Sequence, residues 1–423
     1  MRFPTVAAWI AWQQAAHPVE IDPGLARVGA VWERLEKPLH AVVLTVGGTN
    51  GKGSVTAYLD AILTAAGYQT GLFTSPHFVR YNERIRVHGR EVSDAQLLEA
   101  FAGIDAARGD VSLTFFEWNT LAAFAVFARA GIEVAVLEVG MGGRLDAVNL
   151  LDADAAAVVS VGLDHREWLG DTVEAIGREK AGIFRAGRPA IFGARRPPQS
   201  IVAHAAAIGA RLKRIGTDFD YVERADGWDY VGFGSRRREL PLPGLAGTAQ
   251  LGNAAVALAM LEAVEPRLLV PDAAVRSALA GVRLPGRFQV LPGRPEWILD
   301  VSHNPQAAQA LAASLAARPC TGRTLAVCGI LGDKDIEGIV AALDGQIGRW
   351  IAVGLESARA LPPAELALRI SRAGAASVHA SADVAAGLEQ ARAEMQPDDR
   401  AVVFGSFLTV GPALEWLGAG ARA

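Results

Sequence analysis

Apolar runs that end in glycine recur along this chain, each leading into a helical stretch. That rhythm narrows the fold more than any other feature. HAVVLTVGG, from His40, is followed by SVTAYLDAILTAAG, whose apolar positions return at three and four residues. VAVLEVG from Val134 and AAAVVSVG from Ala155 repeat the strand signal, and ILDVSHNP from Ile298 passes into QAAQALAASLAA. Strands buried on both faces read as continuous apolar runs rather than alternating ones. The order strand, turn, helix therefore predicts an α/β fold, a mostly parallel sheet flanked by helices. FDYVERADGWDYVGF, from Phe219, departs from this texture. Its alternating aromatics around a DG turn predict a hairpin lying over the α/β core.

The length of 423 residues allows two or three domains. VRLPGRFQVLPGRP, from Val282 to Pro295, clusters proline, glycine and arginine without periodicity, as an interdomain connection would. Beyond it, EWILDVSHNP, TLAVCGI, WIAVG and AVVFGSF supply strands for a smaller, Rossmann-like α/β domain. The expected division is 1–284, a connection at 285–295, and 296–423. A net charge of −4 gives no reason to expect nucleic acid. The opening MRFPTVAAWIAWQQ lacks the apolar core and cleavage site of a secretory signal. TLAAFAVFARAGIEVAVLEVG is interrupted by Arg129 and Glu133, so no membrane span is expected. Cys320 and Cys328 read as buried thiols rather than a disulfide, which fits a reduced cytoplasm.

VGGTNGKGS, from Val46 to Ser54, follows the first apolar run. The standard phosphate loop is GxxxxGK[ST], and this segment misses it twice: Val46 stands at the first glycine, and Gly53 separates Lys52 from Ser54. The physical requirements are still met. A strand ends, glycines permit a backbone nest, and a helix is expected from the serine, so amide hydrogens can meet phosphate oxygens. Lys52 can neutralise the outer phosphates, and Ser54 or Thr49 can reach a metal-bound phosphate. The competing reading is a glycine-rich turn with an incidental lysine.

Two later strand ends point polar groups toward the same sheet edge. AVLEVGMGGRLDAVN carries Glu138 where a strand should stop, then Gly142, Gly143, Arg144 and Asp146 in a turn. AVVSVGLDHREWLG presents Asp164 and His165 after the next strand. Ligands in open parallel sheets gather beyond the carboxyl ends of the strands. Ser54, Glu138 and His165 could therefore share a Mg²⁺, with Mn²⁺ tolerated by the imidazole. A surface salt bridge is the alternative for the Glu–His pair. Lys180, in GREKAGIFRAG, closes a helical segment as a cationic terminus, a phosphate contact or a lysine with altered charge.

GTNGKGS, TSPHFVRYNERI, LTFFEWNTLAAF, LEVGMGGRLDAVN, GLDHREWLG and REKAGIFR are distinctive together, and LGNAAVAL, LPGRFQ, LDVSHNP, GILGDKD and FGSFLTVG follow in order. Across nearly its whole length the chain resembles the folylpolyglutamate synthase/dihydrofolate synthase branch of the Mur ligase superfamily. The resemblance implies ATP bound by Thr49, Asn50, Gly51, Lys52, Gly53 and Ser54. It gives Asn253 a purine contact with help from Gln250, Arg287 a phosphate contact dependent on domain orientation, and Asp300 a ribose contact. It also implies two Mg²⁺ ions held by Ser54, Glu138 and His165, with Lys180 often carbamylated, and leaves open a monovalent cation. Lys52, His165 and Lys180 are the expected catalytic groups. Ser75, Pro76, His77, Phe78, Phe116 and Thr120 are implied around a pterin, and His303, Asn304 and Ser406 around the incoming glutamate. Capping of the following helix by Asn304 is the other physical reading of that residue. Asp333, Lys334 and Asp335 are weaker candidates, because surface ion pairing explains them as well.

The implied chemistry is ATP-dependent ligation of L-glutamate to dihydropteroate, and to reduced folates as γ-linked chains, through an acyl phosphate. A cytoplasmic monomer is expected. Two rivals share parts of this pattern. A cell-wall-precursor Mur ligase would need a separate precursor-binding domain, and the phosphate loop comes too early for one of the usual kind. A nucleotide-responsive binding module would need no glutamate-dependent product.

Overall fold

The computed structural model describes residues 2–265 and 267–419. The chain forms two compact units, Met1–Leu242 with Leu251–Val282, and Pro243–Gln250 with Arg283–Ala423.

The first unit is built on an eight-stranded sheet. Its spatial order is Arg90–Glu91, Ile85–Val87, Thr70–Phe73, Val134–Glu138, Val42–Gly47, Ala155–Val158, Pro189–Phe192 and Arg211–Arg214. From Thr70–Phe73 onward every pairing is parallel; the two short strands at the other edge are antiparallel. Val42–Gly47 is buried at every position, as its unbroken apolar run requires. Parallel pairing brings the carboxyl ends of Val42–Gly47, Val134–Glu138 and Ala155–Val158 to one edge, with the first strand between the other two.

The long apolar stretch around Phe124 divides at Gly131. Phe115–Ala130 is a helix, Gly131 takes φ +61° to end it, and Val134–Glu138 turns into the sheet. Thr114 and Glu117 begin the helix as a capping box, with Glu117 N donating to Thr114 Oγ1 and Thr114 N to Glu117 Oε2. Such a cap contributes about 1 kcal/mol and fixes the register of the residues after it. Trp118, one turn in, packs on Trp9 and Trp12, with ring centroids 6.0 and 5.6 Å away. This aromatic core immobilises the helix that carries Phe116. Among the described residues no helix is long and apolar enough to cross a membrane.

The expected hairpin is the Asp220–Arg224 and Gly227–Val231 pair. A third strand, Arg236–Leu240, joins it, although its arginine-rich sequence carries no apolar signal. In the second unit, six strands run in the order Gln289–Leu291, Glu296–Leu299, Arg400–Phe404, Thr324–Cys328, Arg349–Val353 and Val378–Ser381. All neighbours are parallel except the first pair. Gln289–Leu291 lies within the segment read as a non-periodic connection, where it forms an antiparallel edge strand. Both cysteines are free; Cys328 is buried as expected, but Cys320 is partly exposed.

Candidate active site

The helix after Val42–Gly47 starts at Lys52, two residues before the serine at which the sequence placed it. Its N-cap is Gly51, at φ +88°, and no side chain caps it. A Cβ on Gly51 would lie 2.7 Å from Asn253 Oδ1 and 2.7 Å from Val159 Cγ1, so the close approach needs glycine. Asn253 is thus buried against the loop itself. Lys52 folds back over the turn, its Nζ donating to the carbonyls of Gly48 (3.0 Å) and Thr49 (3.4 Å). An uncapped helix start with a lysine beside it suits an anion.

Two hydroxyls fasten this loop to the segment after Ala155–Val158. Ser160 Oγ accepts from Asn50 N and donates to Asn50 O, each at 2.9 Å. Thr49 Oγ1 donates to Gly162 O at 3.2 Å and accepts from Gly162 N at 3.0 Å. Thr49 therefore serves the loop's own geometry, whereas Ser54 is the buried hydroxyl of the helix's first turn. Ser160 was missed by the sequence reading, although it occupies the same after-strand segment that drew notice to Asp164 and His165.

Glu138 is the last residue of its strand, in register with Val46 and buried. On the opposite side of the loop strand, Val158 is in register with Gly47, and the chain then runs through Ser160 to Asp164 and His165. His165 adopts φ +51° and starts the short Arg166–Leu169 helix, with its amide donating to Asp164 Oδ1. Lys180 closes the Val173–Ala181 helix and is buried. Burial, and then repulsion from Lys52, pushes its amine down to about 7, although Asp164 and Asp146 oppose the shift. Burial pushes the Asp146 carboxyl up to about 6, against backbone donors including Met141 and Val148 and against Lys52. Lys52, Asp146, Asp164 and Lys180 thus form one interacting set of charges.

The proposed pterin loop is pinned by Glu83, whose carboxylate accepts from the amides of Phe78, Val79 and Arg80 at 2.6 to 2.9 Å. Ser75 is half-buried, and the Ser75–Pro76 peptide is cis. Arg84 Nε donates to His77 Nδ1 at 2.7 Å. Burial and then Arg84 lower the His77 imidazole to about 4, so it is neutral at physiological pH. Phe116 packs against the backbone of the turn after Glu138, since a Cβ at Gly140 would meet its ring at 2.6 Å. Thr120 is fully buried, and its hydroxyl donates to Phe116 O within the helix.

In the second unit many candidates serve local backbone. Asp300 accepts from the amides of Ser302 and Phe288, each at 2.8 Å. Arg287 lies over the Phe407 ring, 5.4 Å from its centroid. His303 Nδ1 meets Val301 O at 2.8 Å, so that nitrogen carries the proton. Asn304 caps the Pro305–Ala316 helix through Ala307 N, and Ser406 caps Phe407–Trp416 through Leu408 N. Asp333 pairs with Arg359 and Lys334, while Asp335 caps Ile336–Ala342. Gln250 is buried at the start of the Gln250–Ala263 helix that also carries Asn253.

Among the described residues, no three His, Cys, Asp or Glu side chains converge as a metal cage. Ser54, Glu138 and His165 would offer one hydroxyl, one carboxylate and one imidazole, a sparse donor set. That suits Mg²⁺, which keeps water and substrate-phosphate ligands and needs few protein ones.

A glycine-capped phosphate loop in a parallel α/β unit, followed by a second α/β unit, is the architecture of a Mur ligase. The Mur ligase middle domain matches residues 46–261, and the Mur ligase glutamate ligase domain matches residues 286–407. The dihydrofolate synthase/folylpolyglutamate synthase of Escherichia coli K12 is 42% identical over 412 residues, covering 97% of this chain and 95% of that protein. The solved structure of E. coli FolC in complex with DHPP and ADP has a TM-score of 0.93 and 42% identity, covering 99% of both chains. The Yersinia pestis bifunctional enzyme complexed with AMPPNP and Mn ion has a TM-score of 0.91 at 42% identity, covering 98% of both chains. The chain belongs to the dihydrofolate synthase/folylpolyglutamate synthase family of Mur ligases.

Proposed function

We propose that this protein joins L-glutamate to dihydropteroate to form dihydrofolate, and extends reduced folates with γ-linked glutamates, with ATP consumed and ADP and phosphate released. One observation carries the reading. A single sheet edge gathers the phosphate loop, Glu138 and the Ser160–His165 segment, in a chain that aligns with a bifunctional enzyme over 97% of its length.

The chemistry follows from a carboxylate being a poor acyl donor. Its oxygen attacks the γ-phosphorus of ATP, the bond to ADP breaks, and an acyl phosphate forms. The amine of L-glutamate then attacks the carbonyl carbon, loses a proton, and expels phosphate to leave an amide. This route needs no serine or cysteine nucleophile; positioning and charge stabilisation supply the rate. Asn50, Gly51, Gly53 and Ser54 are assigned to the phosphates, on a loop that Thr49 holds in shape, with Lys52 stabilising the charge that grows on the transferred group. Asn253, buried against Gly51, Gln250, Arg287 and Asp300 are assigned to the nucleotide. Ser54, Glu138 and His165 would hold magnesium, which supplies positive charge to the polyphosphate when bound.

Lys180 would join that set as a carbamate. A neutral amine is needed to add to carbon dioxide, and an amine titrating at about 7 is half neutral at that pH. An ordinary lysine would be neutral there in roughly one molecule in three thousand. Ser75, Pro76, His77, Phe78, Phe116 and Thr120 are assigned to the pterin side and His303 to glutamate, whereas Asn304 and Ser406 serve the starts of their helices. Free thiols and the use of ATP fit a cytoplasmic enzyme.

The deciding assay supplies dihydropteroate and a reduced folate separately, each with ATP, Mg²⁺ and L-glutamate. Glutamylated product and stoichiometric phosphate are expected from both. Product from one alone would restrict the protein to that reaction, and phosphate release indifferent to glutamate would overturn the ligase reading.

A further inference from the structure

Arg84 lies in the SPHFVRYNERI segment and carries no role among the groups assigned to ATP, pterin or glutamate. It ends the Tyr81–Arg84 turn, immediately before the Ile85–Val87 strand that pairs with Thr70–Phe73. Only 7% of the residue is exposed. Its guanidinium lies 5.7 Å from the Tyr81 ring centroid and 5.5 Å from that of Phe115. Nε donates to His77 Nδ1, and among the described residues this is the one hydrogen bond the guanidinium makes. No carboxylate pairs with it there, although Glu83 and Glu138 both contribute to its field.

Burying a guanidinium without a hydrogen-bonded anion is costly, and stacking on two rings returns only part of that cost. The missing partner is therefore an anion from outside the chain. Aromatic neighbours and the Nε bond to His77 fix the plane of the fork, which suits bidentate pairing with a planar carboxylate. Polyphosphate fits less well, because the glycine-capped helix already offers a phosphate site. The position on the His77 loop, beside Phe115, favours a carboxylate attached to a flat aromatic body.

We propose that Arg84 binds the carboxylate of the pteroyl substrate, with His77 as the positioning residue that sets the guanidinium plane. This rests on the glutamate-ligase reading. The test titrates tryptophan fluorescence with dihydropteroate and with its neutral carboxamide, in wild type, Arg84→Gln and Arg84→Lys, with ADP binding as the check on folding. Wild type should prefer the carboxylate by about 10- to 100-fold, and Arg84→Gln should reduce that preference to less than about threefold. Arg84→Lys should fall between them, and it carries the test alone if Arg84→Gln fails to bind ADP. A preference undiminished in the variants overturns the proposal, as does equal weakening of both compounds, which would make Arg84 merely structural. A rise confined to the KM for L-glutamate also overturns it, by assigning the site to the incoming amino acid. A wild type that forms no product removes the ligase reading and this proposal together; an active wild type with unchanged preference in the variants removes the proposal alone.

Discussion

The helix after the phosphate loop and three helices of the second unit begin in opposite ways. In the second unit, Asn304, Asp335 and Ser406 each spend a side-chain oxygen on the first-turn amide of the helix they precede. In the first unit, the helix after the phosphate loop starts from Gly51 with no side-chain cap. A capped helix start has satisfied its own polarity, whereas an uncapped one favours an anion. The charged groups beside these helix starts differ as well. Lys180 and Asp146 are displaced toward neutrality by burial in the first unit. Asp333 in the second is held below the usual carboxylate range: burial would raise it, but Arg359 and Lys334 prevail. Polar residue types after a strand do not identify a ligand site; what they already bond to does.

Removing charge at the uncapped helix is the strongest way to break this comparison. Lys52→Met should lower kcat/KM by about 10²- to 10³-fold, as for other groups that stabilise transition-state charge, with little change in Tm. Steady-state kinetics beside a thermal melt would separate the two effects. Lys180→Met should cost about 10- to 100-fold in kcat/KM, in the range of ligand-shell losses at metal sites. In wild type, ¹³C-bicarbonate should place a carbamate signal on Lys180 that grows as pH rises through about 7, because the amine loses its proton there. Growth only near the pH of an ordinary lysine would contradict the lowered value. Asn304→Ala should have the smallest effect: loss of about 1 kcal/mol of cap stability, read as a Tm lower by about 2–4 °C. A raised KM for L-glutamate without a Tm change would put Asn304 on the ligand side of the comparison.

The sequence made the parallel core legible because strands buried on both faces leave long apolar runs, and Val42–Gly47 and Val134–Glu138 are of that kind. Gln289–Leu291 escaped notice because three residues among prolines and glycines are too few for a period, and their pairing with Glu296–Leu299 is a tertiary fact. Arg236–Leu240 was hidden for a related reason: an exposed antiparallel strand needs little apolar content. The placement of Glu138 at a strand end and of His165 after the next strand was legible in the sequence. The burial of Arg84 and the two-way clasp of Ser160 on Asn50 were not, since each depends on a partner brought in by the fold. Thr49 and Ser54 are both hydroxyls in one loop, and only the bonds to Gly162 separate their uses.

Oxygen tracing tests the central claim most directly. Dihydropteroate labelled with ¹⁸O in its carboxylate is incubated with ATP, Mg²⁺ and L-glutamate, and the phosphate released is analysed by mass spectrometry. Activation as an acyl phosphate places one carboxylate oxygen in each phosphate formed with an amide. Amide synthesis with unlabelled phosphate would contradict it.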